Sequence, residues 1–347
     1  MRLGTGDLSV GQGPAIAFKF LSVMHFNDFL LEPIKKISFK LFVAKRKKWF
    51  SGMYPVQLPG IDFDKIFKEK INGPLPVMIA RYGSVELTCV LAYILSRSHK
   101  SYFEKASGFI KGEIPAFWFG HKNRTEICSN AGFFPNDKKL ITRFCKKMQE
   151  DVKEVDILLS WLKGEEYILP FLPKNCTVMS LWAVEPFFQE VPWTMCLQGK
   201  KVLVIHPFTK SIARQYHNRH KIFPGKQVLP EMELKTFKAV QTIANNDAPF
   251  ETWFDALDYM KQEIEKIDFD IALIGAGAYG FPLAAHIKRM GKKAVHIGGS
   301  LQLYFGIIGL RWEQMPHFKA LFNEHWVRPL PEEYPINHLK VEGGVYW

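Results

Sequence analysis

The order of elements along this sequence predicts an α/β chain with a doubly wound, mostly parallel sheet covered by helices on both faces. Three observations predict it. Short, near-continuous apolar runs recur at Val77–Ala80, Asp156–Trp161, Cys176–Leu181, Lys201–Pro207, Asp270–Ile274 and Ala294–Ile297, as strands buried on both faces require. Helical stretches with one apolar stripe alternate with these runs, the βαβ pattern of a parallel sheet. Glycines, hydroxyl residues and small loops cluster where a strand hands over to a helix. That is the Rossmann-like arrangement, and in it ligands bind at the carboxyl ends of the strands.

Composition bounds the rest. The 347 residues are 47% hydrophobic and 23% charged, an ordinary globular balance with ample core. The five cysteines (Cys89, Cys128, Cys145, Cys176, Cys196) show no close pairing, which suits reduced thiols and a cytoplasmic location. No run of 18 uncharged apolar residues occurs, so no transmembrane helix is expected. The net charge of +12 fits an anionic membrane surface or phosphorylated substrates. Nucleic acid is not expected, because no paired Cys/His finger or RNP-like aromatic strand accompanies the charge.

Two regions are expected: residues 1–55, basic and amphipathic, and residues 56–347, one α/β domain. In the first, Lys45–Lys48 stand beside Trp49 and Phe50. Such a helical segment either packs on the domain with a solvated basic face or lies on the inner face of an anionic membrane. A helix is expected over Ile61–Ile71, leading into the first strand.

After that strand, Leu87, Val90, Leu91, Ile94 and Leu95 repeat at helical spacing up to Arg97. Ser84 is a natural N-cap and Glu86 falls in the first turn, where the helix dipole favours a carboxylate. Arg81, Gly83, Ser84 and Glu86 either only start this helix or form part of a site at the strand end.

Residues 98–135 read as the least regular part, a loop containing Asn130 that covers the site or simply lies on the surface. Asp137 caps a basic helix running to about Val155. Trp182–Trp193 is aromatic, a pocket wall or plain core. After the strand ending in His206, Thr209 or Ser211 can cap a helix whose free N–H groups, with Lys210 or Arg214, would suit a phosphate. His217 and His220 have helical spacing without a third ligand, so zinc is not expected. Residues 221–250 read as a long excursion before an amphipathic helix, Trp253–Ile267.

Gly275-Ala276-Gly277-Ala278-Tyr279-Gly280 matches G-x-G-x-x-G after a strand. A dinucleotide fold would end its next strand in an acidic residue for the ribose, yet no Asp or Glu lies between Asp270 and Glu313. Nicotinamide-dependent oxidation is therefore an alternative rather than the leading reading. The glycines imply close backbone approach, to a ligand phosphate or sugar or between helix and strand. Gly299 and Gln302 follow at the next strand end.

Ile79-Ala80-Arg81-Tyr82-Gly83-Ser84-Val85-Glu86-Leu87 resembles the Arg-aromatic-Gly-Asp-Gly-Glu-Leu signature of the GT-D type glycosyltransferases of bacterial glycan and capsule assembly clusters. The likeness extends loosely to Ala131–Pro135, and residues 191–309 resemble uncharacterised proteins of capsule loci. It implies a GT-D-like fold and transfer of a sugar from a nucleotide donor, UDP-linked, to a glycan or lipid-linked acceptor in surface polysaccharide or glycoprotein glycan assembly. It also implies Glu86 as the catalytic carboxylate, a base or a metal-associated group. Arg81, Gly83, Ser84, His206, Thr209, Ser211, Arg214, Gly275, Gly277, Tyr279, Gly299 and Gln302 would then surround the donor and its phosphates. Ser84 stands where the family has Asp, so Mn2+ or Mg2+ would be held weakly by Glu86 or not at all. The same departure leaves room for a non-catalytic binder of nucleotide sugars.

Overall fold

The computed structural model describes residues 27–37, 63–243, 249–341 and 343–347. Its strands are β1 (Val77–Ala80), β2 (Ile157–Ser160), β3 (Thr177–Ser180), β4 (Lys201–His206), β5 (Glu233–Lys238), β6 (Ile271–Ile274) and β7 (Lys293–His296). They form one sheet in the order β3-β2-β1-β7-β6-β4-β5, every pairing parallel. The longer helices are α1 (Phe63–Asn72), α2 (Ser84–Ser96), α3 (Tyr102–Lys111), α4 (His121–Ala131), α5 (Lys138–Asp151), α6 (Thr209–His217), α7 (Trp253–Glu265) and α8 (Gly280–Arg289).

Alternate residues of each strand enter opposite apolar layers. Met78, Ala80, Leu203, Ile205, Ala272 and Ile274 join one core cluster with residues of α2, α4, α5, α7 and α8. Val77, Ile79, Val202, Val204, Ile271 and Leu273 join another with α1, α6 and the C-terminal residues Trp312, Trp326 and Trp347. Both faces of the central strands are therefore dry, which is why β1, β2, β4 and β6 read as apolar runs instead of alternating.

The doubly wound sheet is as the sequence predicts, and several elements differ. Residues 98–135 contain two helices. α3 is closed by a capping box between Ser101 and Glu104 and ends on a left-handed Gly112. α4 has mixed, weakly periodic residues and is held by its neighbours. The expected excursion contains β5, an edge strand with Lys235 and Lys238, whose half-exposed residues give no apolar run to read. Asp137 does cap α5, accepting from Leu140 N–H at 2.8 Å, a contact worth about 1 kcal/mol. α5 stops at Asp151, and a 3-10 turn, Val152–Glu154, follows. His217 and His220 are separated by a break at Asn218.

Most of residues 1–55, including the Lys45–Phe50 cluster, lies outside the described residues. The described piece, 27–37, packs on the domain: Asp28 accepts from Trp118 Nε1 at 2.7 Å and from His121 N–H at 3.1 Å. Leu31 joins a small core with Phe109 and Trp118. Among the described residues no helix is long and apolar enough to cross a membrane. The five cysteines carry free thiols.

Candidate functional site

The chain leaves β1 toward β2 and leaves β6 toward β7, while β4 leads outward to β5. The loops at the carboxyl ends thus part company across the middle of the sheet, and a crevice opens there. It is a cavity of about 130 Å³ lined from the ends of β1 (Arg81, Gly83, Glu86), β4 (His206), β6 (Gly275, Gly277) and β7 (Gly298, Gly299). Asn130–Gly132, Thr242, Tyr279, Gln302, Arg311, Tyr346 and Trp347 complete the wall. A second cavity, of about 240 Å³, shares Arg81, Trp161, Gly299 and Arg311 with the first. Together they reach the size of ordinary small-molecule sites.

Arg81 is the hub. Its Nε donates to Ile297 O at 3.0 Å, and its guanidinium lies 5.2 Å from the Trp161 ring centroid. Trp161 is in turn fixed by its Nε1 donating to Tyr82 O at 2.9 Å. Gly298 has φ +78, and an added Cβ would lie 1.8 Å from an Arg81 nitrogen, so the guanidinium rests directly on glycine backbone. Burial lowers the pKa of Arg81, partly offset by Tyr346 and Glu86, and an arginine stays charged at neutral pH. Arg311 supplies a second guanidinium, lying 4.8 Å from the Tyr346 ring. Two cations in one crevice suit a diphosphate.

Glu86 is buried in the first turn of α2. The N-cap is Gly83, with no side-chain cap, and Ser84 is the first helical residue, exposed; this corrects the expectation that Ser84 caps the helix. The Glu86 carboxylate curls back over Gly83, where an added Cβ would meet Oε2 at 1.9 Å. One carboxylate beside an exposed hydroxyl is a poor donor set for a hard cation. Among the described residues no group of three or more His, Cys, Asp or Glu could hold a metal. Glu86 is a lone carboxylate ligand here, and a Mn2+ or Mg2+ beside it would take its remaining oxygens from substrate phosphates and water.

The Gly-rich turn spends its glycines on protein. A Cβ at Gly275 would lie 2.6 Å from the His206 ring, one at Gly280 2.2 Å from the His296 ring, and one at Gly277 3.1 Å from Ala131 O. Both histidines end strands, are fully enclosed, and have pKa values pushed down to about 3 by burial, with Arg81 adding to the effect at His296. His206 Nδ1 accepts from Phe208 N–H at 3.0 Å, so its neutral ring carries the proton on Nε2. Tyr279 stacks on Trp253 at 4.9 Å and reaches Thr242 Oγ1 at 3.3 Å. Gln302 donates to Ile307 O and Tyr346 O, each at 3.1 Å, and its Oε1 has no partner.

Thus Arg81, Gly83, Ser84, Glu86, His206, Gly275, Gly277, Tyr279, Gly299 and Gln302 meet at one cavity. Thr209, Ser211 and Arg214 do not line it. The first turn of α6 follows Phe208 without a side-chain cap. Its N–H groups are taken by Glu333, which accepts from Lys210 N–H at 2.8 Å, from Ser211 N–H at 3.3 Å and from the Ser211 hydroxyl. A protein carboxylate occupies the place the sequence suggests for phosphate, and Arg214 is exposed.

Four residues that line these cavities escape sequence reading: Arg311, Tyr346, His296 and the buried Glu185. Glu165 accepts from the Ser160 hydroxyl and from Trp161 N–H at 3.1 Å, and burial pushes its pKa up to about 7. Glu185 is pushed up to about 8 by burial, against a Ser300 hydrogen bond and the Arg81 charge. Comparison of the chain with known protein families, characterised proteins and solved structures gives no match.

Proposed function

We propose that this protein is a glycosyltransferase that moves a sugar from a nucleoside-diphosphate donor to a glycan or lipid-linked acceptor. The observation that carries the reading is the pairing of Arg81 and Arg311 with Glu86 in one strand-end crevice. The Arg-Tyr-Gly-Ser-Val-Glu stretch that resembles the GT-D signature forms the same wall. Loss of a diphosphate leaves negative charge on oxygen, and fixed guanidiniums in a low-dielectric crevice stabilise it as it develops. The His206 Nε2 proton offers a neutral donor beside them. Glu86 supplies the opposite charge, toward the positive character that grows on the anomeric carbon.

Calorimetric titration of UDP and UDP-sugars, with and without manganese, tests the reading. Binding without manganese that is lost in Arg81→Ala supports it, and absence of binding by every nucleotide sugar rejects it.

A further inference from the structure

We propose that the second cavity is a pyranose subsite, holding the acceptor sugar with Glu185 placed to take the proton of its reacting hydroxyl. The sugar site stands on its own features; only the reaction assigned to it rests on the transferase reading.

The cavity wall is aromatic: Trp182, Trp312, His317 and Phe318, with Met315. Trp182 and Phe318 lie nearly parallel, at 14° with centroids 6.1 Å apart, and His317 lies 5.2 Å from Trp182. Trp182 is 40% exposed. An open indole face beside polar groups suits the C–H face of a pyranose, whose hydroxyls then turn to the hydrogen-bonding side. That side is here: Ser160, Ser180, Ser300 and Glu185 line the same cavity.

Glu185 is 5% exposed, and its Oε2 has no hydrogen-bond partner. A buried acceptor left empty costs about 1–3 kcal/mol, and such groups are rare enough that each asks for a reason. A ligand hydroxyl donating to Oε2 is that reason. The charged and titratable groups around Glu185 are Arg81 and the Tyr304 phenol, with Arg311 and His317 on the cavity wall. With burial dominating, its carboxyl titrates near pH 8, where a general base is effective at neutral to slightly alkaline pH.

The two cavities meet at Arg81, Trp161, Gly299 and Arg311, so an acceptor in one abuts a donor diphosphate in the other. In the transfer, the acceptor O–H bond breaks and its proton passes to Glu185. The freed oxygen forms a bond to the anomeric carbon as the bond from that carbon to the diphosphate oxygen breaks. That electron pair leaves on the diphosphate between the guanidiniums.

The test uses the full chain and ligand-observed saturation-transfer NMR with methyl β-glucopyranoside, methyl β-galactopyranoside and methyl N-acetyl-β-glucosaminide, alongside UDP titration. The parent is expected to saturate the ring protons of at least one pyranoside. Trp182→Ala, on an exposed residue, is expected to weaken that binding about tenfold, Trp182→Phe less, and neither to change UDP affinity. UDP binding with no pyranoside signal, or equal signals in parent and Trp182→Ala, overturns the subsite. Pyranoside binding without UDP binding leaves the subsite standing and rejects the transferase reading. For the base, Glu185→Gln is expected to keep pyranoside affinity, to lower turnover about 10²-fold and to abolish the acid limb of the kcat/KM profile. An unchanged pH profile removes Glu185 from the reaction.

Discussion

The carboxylate of Glu86 occupies the space that a side chain at Gly83 would fill. An added Cβ would sit 1.9 Å from Oε2 and 2.4 Å from the carboxyl carbon. Gly83 itself has φ −76 and ψ 150, a backbone open to any residue, so it is glycine for the sake of its neighbour. Gly83→Ala is therefore expected to leave the melting temperature nearly unchanged while swinging Glu86 out of place. Turnover should fall about 10²-fold, and Glu86→Gln should lower it to the same extent. An alanine variant with parental turnover would show that Glu86 serves only as the first turn of α2.

Gly298 makes the matching prediction for Arg81. Its φ of +78 disfavours any side chain, and a Cβ would overlap the guanidinium. Gly298→Ala is expected to cost about 1–3 kcal/mol of stability and to abolish UDP binding. Arg81→Lys keeps the charge and loses the fork that holds Ile297 O and Trp161. Its UDP affinity should fall about tenfold, the size of a charge-assisted hydrogen bond, with less effect on melting. Calorimetry beside thermal melting separates the two variants.

The buried histidines and glutamates titrate in opposite senses. His206 and His296 have folded pKa values near 3 against 6.5 unfolded, so the unfolded chain binds more protons between those limits and stability falls as pH drops through them. Glu165 and Glu185, near 7 and 8 against 4.5, bind more protons when folded, so their contribution is full below 4.5 and is lost as pH rises to about 8. The opposing slopes cancel between about pH 4.5 and 6.5. Stability should be flat there and decline on both sides, by about 1.4 kcal/mol per pH unit per group. Melting curves of Glu185→Gln should lack much of the alkaline decline, and those of His296→Gln much of the acid one. An unaltered profile in both would contradict the burial assigned to these groups.

Glu333, in the Pro331–Glu333 turn, seals the start of α6 and gives a negative control for the donor site. Glu333→Gln weakens three hydrogen bonds to Lys210 and Ser211 and should destabilise by about 1–3 kcal/mol. Arg214→Ala, on an exposed side chain, should leave UDP affinity as it is in the parent. A fall in affinity for Arg214→Ala would return phosphate to the start of α6.

The strand-end residues from Arg81 to Glu86, His206 and the Gly-rich turn were legible because strand ends can be read from local apolar runs. What those glycines contact was not, since His206 reaches Gly275 and His296 reaches Gly280 only after the sheet has formed. β5 was hidden because an edge strand needs no apolar pattern. Glu333 was hidden because it lies over 120 residues from its partners along the chain, and no periodicity announces a carboxylate that caps a distant helix. Arg311 and Tyr346 sit in irregular chain, where spacing carries no orientation. Glu165 opens a 3-10 turn after β2 and Glu185 joins two such turns after β3, and burial, which makes them unusual, is not written in local sequence.

The position of β1 between β2 and β7 has a consequence during synthesis. β1 pairs through Val77–Ile79 with Lys293–Val295, so one edge of this apolar strand has no partner until about 200 further residues have been made. At about 5–20 residues per second, the wait is on the order of 10–40 s. Throughout it, the nascent N-terminal half presents an unpaired, hydrophobic β-edge to other chains and to ribosome-associated chaperones. Prematurely terminated products that lack β7 are expected to aggregate through that edge, whereas chains released after β7 close it within themselves.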